Sequence, residues 1–486
     1  MKQVWFVVGS QDLYGEEVLK TVAERGKEMA EWLTAKLPYP FVYKVTAMSS
    51  SQITDVIKEA NYNDDCLGVV TWCHTFSPSK MWLTGLDLLQ KPWCHLATQY
   101  NLEIPNDEID MDFMNLNQAA HGDREHGFIG ARLRKARKVI AGYWKDERVI
   151  QKLAEFERVC AGVDFSKHLK VMRFNDNMRD VAVTEGDKVE AQKKLGWEVN
   201  SWAVGDLVKE MNAVTDAEVE ELYQEYCSLY DVNTDNTDAI RYQAREEIAI
   251  RRMMDRNGCK AFSNTFQDLY GMEQLPGIAS QHLMSLGYGF GAEGDWKVSA
   301  MTAVIKKMGE NENGASSFME DYTYHLVENA KYSLGAHMLE VCPSIASGKP
   351  RIETHHLGIG MNEKDPARLV FEGKAGKAIV VSLVDMGGRM RMIVQDIHCV
   401  KPIMEMPKLP VARVMWQAEP SLEEGLECWI TAGGAHHTVL SYDVTAEMMR
   451  DFAKFMDIEF VHIDKNTTAE NLEDRLLVND LIWKLR

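Results

Sequence analysis

Short continuous apolar runs alternate with helically spaced stretches through the first part of the chain. Val4–Val8, Phe41–Val45, Leu67–Trp72 and Trp93–Thr98 have strand length, and Glu16–Leu37 and Gln52–Ala60 between them have helical spacing. That alternation predicts βαβ units on a parallel sheet. A second α/β region begins near Leu169, after the turn Ala161-Gly162-Val163-Asp164. It has predicted strands at Lys170–Phe174 and Glu198–Val204, and predicted helices at Asp206–Ala213, Thr215–Tyr230 and Asp235–Arg256. From about residue 312 the pattern turns β-rich. Ala378–Val384, Met390–Val394, Val411–Met415, Glu427–Ile430 and Thr438–Ser441 are predicted strands, and Ala446–Met456 and Glu470–Leu485 predicted closing helices. The expected architecture is two Rossmann-like or flavodoxin-like α/β domains, 1–168 and 169–311, followed by a β-rich, antiparallel barrel-like domain, 312–486.

Gly289-Phe290-Gly291-Ala292-Glu293-Gly294 spells G-x-G-x-x-G. A dinucleotide site needs a strand before such a loop and a helix directly after it. The preceding Ile278–Leu286 has helical spacing, and a glutamate inside the turn would repel a pyrophosphate. The glycines are expected to bend the backbone so as to present Glu293.

Composition narrows the class. The chain has 486 residues, 45% of them hydrophobic, and a formal charge of −19, which disfavours nucleic-acid binding because that needs a basic face. No apolar run reaches the roughly 18 residues of a membrane span, and the apolar N-terminal run is too short for a signal peptide. Nine cysteines without a C-x-x-C pair argue for reduced thiols and a cytoplasmic protein.

The candidate chemistry lies in four segments: Gly291–Lys297 with Glu293, Phe318–His325 with Glu320, Gly335–Glu340 with His337, and Gly433–Thr438 with His436 and His437. Two carboxylates and two imidazoles form a borderline ligand set suited to Mn²⁺, Fe²⁺, Co²⁺ or Zn²⁺. Singly, each has an ordinary alternative role as a solvated acid or a core histidine. Neighbours on a strand face opposite ways, so one of His436 and His437 is expected to enter the site. His355-His356 is a competing pair that spacing does not exclude.

These segments, together with Val8-Gly9-Ser10-Gln11-Asp12-Leu13-Tyr14-Gly15 and much of the intervening chain, resemble the L-arabinose isomerase family. The resemblance implies that Glu293, Glu320, His337 and His437 hold one Mn²⁺ per subunit, with Co²⁺ or Fe²⁺ able to substitute. It gives acid–base roles to Glu293 and Glu320, selects His437 over His436, and implies a sugar pocket formed by Gln11, Leu13, Tyr14, Phe76, Gln118, His121, Met178, Phe266 and Leu357 or Ile359. Gln11, Leu13, Tyr14, Phe76, Gln118 and His121 would reach into a neighbouring subunit's active site, as in a hexamer. Asp12 departs from the family, which commonly has His there. The implied reaction is isomerisation of L-arabinose to L-ribulose, with D-galactose to D-tagatose as a side reaction. The sequence leaves open which glutamate is the base to carbon, and whether hydrogen moves as a proton through a cis-enediol or as hydride. Rival classes are a sugar-binding protein, a metal-dependent hydrolase and a nicotinamide dehydrogenase; among isomerases, the fucose isomerase family matches less well.

Overall fold

The computed structural model describes residues 1–310, 312–359 and 363–485. The chain divides into two compact units, Met1–Asp164 and Phe165–Arg486. In the first, β1 (Gln3–Gly9), β2 (Phe41–Ala47), β3 (Cys66–Cys73), β4 (Trp93–Ala97) and β5 (Lys138–Ala141) form a parallel sheet in the order β2-β1-β3-β4-β5. Every residue of β3 is buried, as befits a parallel strand covered on both faces. Packing of Trp5, Ile53, Val69, Trp82 and Trp93 forms one side of this core. The helix Ser50–Tyr62 begins where the Ser49 side chain accepts a hydrogen bond from Gln52 N.

The second unit contains, in chain order, β6 (Lys170–Phe174), β7 (Glu198–Trp202), β8 (Asp231–Val232), β9 (Ala261–Ser263), β10 (Gly289–Gly291), β11 (Ser316–Val327) and β12 (Ala330–Ala336). They are followed by β13 (Arg351–Thr354), β14 (Ala367–Val370), β15 (Gly376–Asp385), β16 (Met390–Val400), β17 (Arg413–Ala418), β18 (His437–Ser441) and β19 (Glu459–Ile463). A parallel sheet has the order β10-β9-β6-β7, and a small sheet joins β14, β13 and β8. Antiparallel pairing runs β15-β18-β11-β12-β17-β16 and closes through β15–β16 into a six-stranded barrel. Closure removes the exposed edges that an open sheet would leave. Strand β19 adds in parallel to β16. The closing helix Ala469–Lys484 packs Leu472 and Leu476 against Ile393, Val461 and Ile463.

The two parallel-sheet regions and the antiparallel barrel match the expected fold class. One predicted strand is wrong: Glu427–Ile430 lies within a helix, Leu422–Thr431. Ser421 caps that helix by accepting from Glu424 N, and Leu422, Gly425 and Cys428 bury one face at helical spacing. The Ser-x-x-Glu start signal outweighs the local Cys-Trp-Ile β-propensity. Strands β5, β8, β10, β11, β12, β13, β14 and β19 were not anticipated. The outer half of β11 is largely exposed, so no clean alternation of buried and solvated residues marks it.

Glu157, on the helix Glu147–Ser166, is fully buried, and it accepts a hydrogen bond from Tyr39 N at 2.9 Å through one oxygen only. Burial pushes its carboxyl up to about 8. Because the folded-state value lies above the unfolded one, unfolding releases a proton between those values, and stability falls as pH rises from about 4.5 to about 8. Glu157→Gln is expected to raise the melting temperature at pH 8 by about 3 °C or more and to change it little at pH 5. Equal shifts at both pH values, measured by scanning calorimetry, would contradict this.

Candidate metal and active site

Three of the four candidate donors are positioned by the barrel. Glu320 on β11 lies opposite Ala336 of β12 on one side and His437 of β18 on the other. His337 follows Ala336 directly, so strand register alone brings Glu320, His337 and His437 abreast. Phe318, two residues before Glu320, sets its ring edge-on to both imidazoles, with centroids at 5.0 and 5.1 Å.

Glu293 comes from the turn between β10 and the helix Trp296–Gly309. The G-x-G-x-x-G segment is preceded by a helix, Ile278–Ser285, as expected; its own first three residues form the short strand β10, and the helix Trp296–Gly309 follows. What occupies the turn is the glutamate. Glu293 adopts φ +58° and Gly294 φ +75°, with Glu293 O accepting from Met178 N and Gly294 N donating to Asn264 O. A left-handed non-glycine residue costs about 1–2 kcal/mol, which these contacts offset. The glycines also serve close packing: a Cβ on Gly289 would lie 2.2 Å from Ser299 O, and one on Gly291 would lie 2.5 Å from Asp295 O.

One donor atom each of Glu293, His337 and His437 can be chosen so that all lie within 4.8 Å of one another. Glu293 Oε2 lies 3.7 Å from His437 Nε2, and Glu320 Oε2 lies 3.8 Å from His337 Nε2. These separations exceed a hydrogen bond. They match the roughly 3–4 Å between donors that each sit about 2.1 Å from a shared ion.

Both imidazoles are oriented from behind. His437 Nδ1 faces Asp295 Oδ2 at 3.3 Å, and His437 Nε2, buried, has no hydrogen-bond partner. His337 Nδ1 faces Glu340 Oε2 at 2.6 Å. A carboxylate on Nδ1 fixes the tautomer that leaves Nε2 as a lone-pair donor, so an orphaned, buried Nε2 fits a cation. Asp295 also caps the helix Trp296–Gly309 through Oδ1, accepting from Lys297 N and Val298 N. The buried Lys297 ammonium lies 3.4 Å from it and donates to the Thr184 and Glu185 carbonyls.

Charge follows this geometry. Burial opposes ionisation of Glu293, but the neighbouring His436, His437 and His337 outweigh it and hold the carboxyl below its usual range. Burial likewise opposes protonation of His337, and Glu340 outweighs it. Asp295, disfavoured as an anion by burial, is held low chiefly by Lys297 and His437.

Of the paired histidines, His437 belongs to the cluster of donors, and His436 lies beside it. The Nε2 of His436 lies 3.6 Å from Glu293 Oε2. His437 is the first residue of β18 and His436 precedes it, so strict alternation does not apply. The supporting Asp295 and Glu340 were not singled out in the sequence, although an acid two residues after Glu293 and another three after His337 were signals for them.

Met178 and Phe266 border the Glu293 turn: Met178 N bonds Glu293 O, and buried Phe266 follows Asn264, which binds Gly294 N. His355 and His356 pair with Glu353 and Asp365, away from the cluster. Leu357 is half-buried and Ile359 exposed on the same segment, outside the cluster of donors. In the first unit, Tyr14 donates to Gln118 Oε1 at 3.0 Å, and Phe76 stacks on His121 at 4.2 Å. Gln11 and the 83%-exposed Leu13 precede Tyr14 beyond the carboxyl end of β1, so five polar or aromatic residues and one leucine gather at the carboxyl end of that sheet.

Fold and donor set together describe an enzyme with a candidate divalent-metal site at the mouth of an antiparallel barrel. Models of the L-arabinose isomerase N-terminal, central and C-terminal domains match residues 1–168, 170–311 and 315–459. The chain is 50% identical over 492 residues to an L-arabinose isomerase of Geobacillus thermodenitrificans, covering 100% of this chain and 99% of the relative. One from Flavobacterium johnsoniae is 52% identical over 100% and 98% of the two chains, and one from Thermotoga petrophila 50% over 99% and 98%. The chain belongs to the L-arabinose isomerase family, a family of aldose–ketose isomerases.

Asp295→Asn is expected to weaken divalent-metal binding about 10- to 100-fold, the usual cost of losing a carboxylate behind a ligating imidazole. Titration calorimetry with Mn²⁺ on the folded variant checks this; an unchanged Kd would contradict it.

Proposed function

We propose that this chain isomerises L-arabinose to L-ribulose, with D-galactose to D-tagatose as a side reaction, at the Glu293–Glu320–His337–His437 cluster. The observation that carries the reading is the convergence of Glu293 with two back-oriented imidazoles, one of whose buried nitrogens lacks a hydrogen-bond partner, with Glu320 3.8 Å from the other imidazole. Mn²⁺ is the proposed cofactor, held by these four side chains, with Co²⁺ or Fe²⁺ as substitutes. When bound, such an ion supplies Lewis-acid stabilisation of negative charge on the sugar's O1 and O2.

The protein's own groups then move the protons. One of Glu293 and Glu320 takes the proton from carbon 2 and returns it to carbon 1, and the other exchanges a proton between O1 and O2. Positioned general acid–base groups contribute about 10²–10⁴-fold each. The depressed carboxyl of Glu293 keeps it ionised and ready to accept. Met178, Phe266 and Leu357 or Ile359 are proposed to line the sugar pocket.

The remaining proposals concern organisation. Gln11, Leu13, Tyr14, Phe76, Gln118 and His121 offer hydroxyl-binding and stacking groups, and they are proposed to complete a neighbouring subunit's pocket within a hexamer. Three domains, 1–168, 169–311 and 312–486, and a cytoplasmic location complete the reading. Among the described residues no helix is long and apolar enough to cross a membrane.

Chelator-stripped protein is expected to form no ketose from L-arabinose and to regain activity with Mn²⁺. Glu320→Gln is expected to lose about 10³-fold or more in kcat. Absence of ketose from folded, Mn²⁺-loaded protein, followed with a ketose-specific colour assay, would overturn the substrate assignment.

A further inference from the structure

Lys306 and Cys342 meet behind the candidate site, in a contact that the isomerase reading does not use. Lys306 Nζ lies 3.3 Å from Cys342 Sγ and donates to Ser316 O at 2.7 Å. The lysine is 7% exposed and the cysteine fully buried. Cys342 is held on both sides: its N–H donates to Ser317 Oγ at 2.8 Å, and its sulfur lies 3.2 Å from Ser344 Oγ. The amine and the sulfur are thus fixed side by side, with little freedom to separate.

The pair is sealed on the sulfur side and open on the amine side. Lys306 lines a cleft of about 450 Å³ together with Lys260, Ser285 and Tyr288, through which a small oxidant and water can exchange. Oxidation of a cysteine sulfur by small oxidants begins the ladder of cysteine oxygen adducts. A sulfur oxidised here has an amine as its immediate neighbour.

We propose that Lys306 and Cys342 form an oxidisable clip, closing as a covalent Nζ–O–Sγ bridge with dioxygen as oxidant. Sulfur and nitrogen each give up two electrons. One oxygen atom inserts between them and the other leaves as water. Of the three hydrogens on a neutral amine and a thiol, one stays on Nζ and two depart in that water. Thiol reductants supply four electrons and the missing hydrogens to restore the amine and the thiol. The bridge would tie the helix Trp296–Gly309, whose start carries Asp295 next to Glu293, to the segment that carries His337 and Glu340. The clip therefore joins the two supports of the site without using any of its donors.

Intact-mass spectrometry tests this on the full chain. Reduced protein incubated in air-saturated buffer is expected to gain about 14 Da, one oxygen in and two hydrogens out, and to lose it again with dithiothreitol. Trypsin is expected to release Val298–Lys307 joined to Tyr332–Arg351, uncut after Lys306. Cys342→Ser and Lys306→Arg are each expected to abolish the gain, and two variants on different elements guard against one failing to fold. No gain in the wild type would overturn the proposal. So would a gain of about 32 Da on Cys342 with cleavage still occurring after Lys306, which marks sulfinic acid instead. A gain that persists in both variants would overturn it as well.

Discussion

The candidate site depends on one constraint, the antiparallel register of β12, β11 and β18. Glu320 pairs with Ala336 on one side and His437 on the other. Once that register forms, a carboxylate and two imidazoles from positions 117 residues apart in sequence (437 − 320) share one patch. A slip of one residue would turn each side chain to the opposite face of its strand. Barrel closure through β15–β16 protects the register, because no member strand is left with an open edge along which to slide.

The second contribution is the helix Trp296–Gly309, which packs along β10 and against β11, β18 and β15. It is buried around nearly its whole circumference, as a helix between a sheet and a barrel must be. Asp295 joins its capping to the chemistry: one carboxylate oxygen holds the first turn and the other orients His437. Loss of that carboxylate therefore disturbs both helix start and imidazole. Glu293, in left-handed backbone next to it, is held by main-chain bonds to Met178 and Asn264, so the central sheet contributes its donor through a rigid turn.

Much of this was legible in the sequence. Lys170–Phe174 was placed to the residue: a short segment with Val171, Met172 and Phe174, ended by the polar Asn175-Asp176-Asn177. The donor segments were found as glycine-, aromatic- and histidine-containing clusters, and their joint resemblance to one family gave the quartet its weight. What escaped followed physical rules that a local window does not see. The helix at Leu422–Thr431 is decided by its Ser421 cap and not by its β-prone centre. β11 hides its strand character because its outer half is exposed. His436 reaches Glu293 because it lies just before β18, which begins at His437, one residue earlier than the expected Thr438, so strand alternation does not govern it. Asp295 and Glu340 look like ordinary acids until the fold sets them behind the imidazoles.

The central claim is that strand register and one βα turn assemble a single divalent-cation site. Its most direct test is a crystal structure of the Mn²⁺-loaded protein with data collected at the manganese absorption edge. The account predicts one anomalous peak per chain, bonded to Glu293, Glu320, His337 Nε2 and His437 Nε2, with Asp295 and Glu340 still on the two Nδ1 atoms. A peak elsewhere, or one held by His436 with His437 turned away, would contradict it.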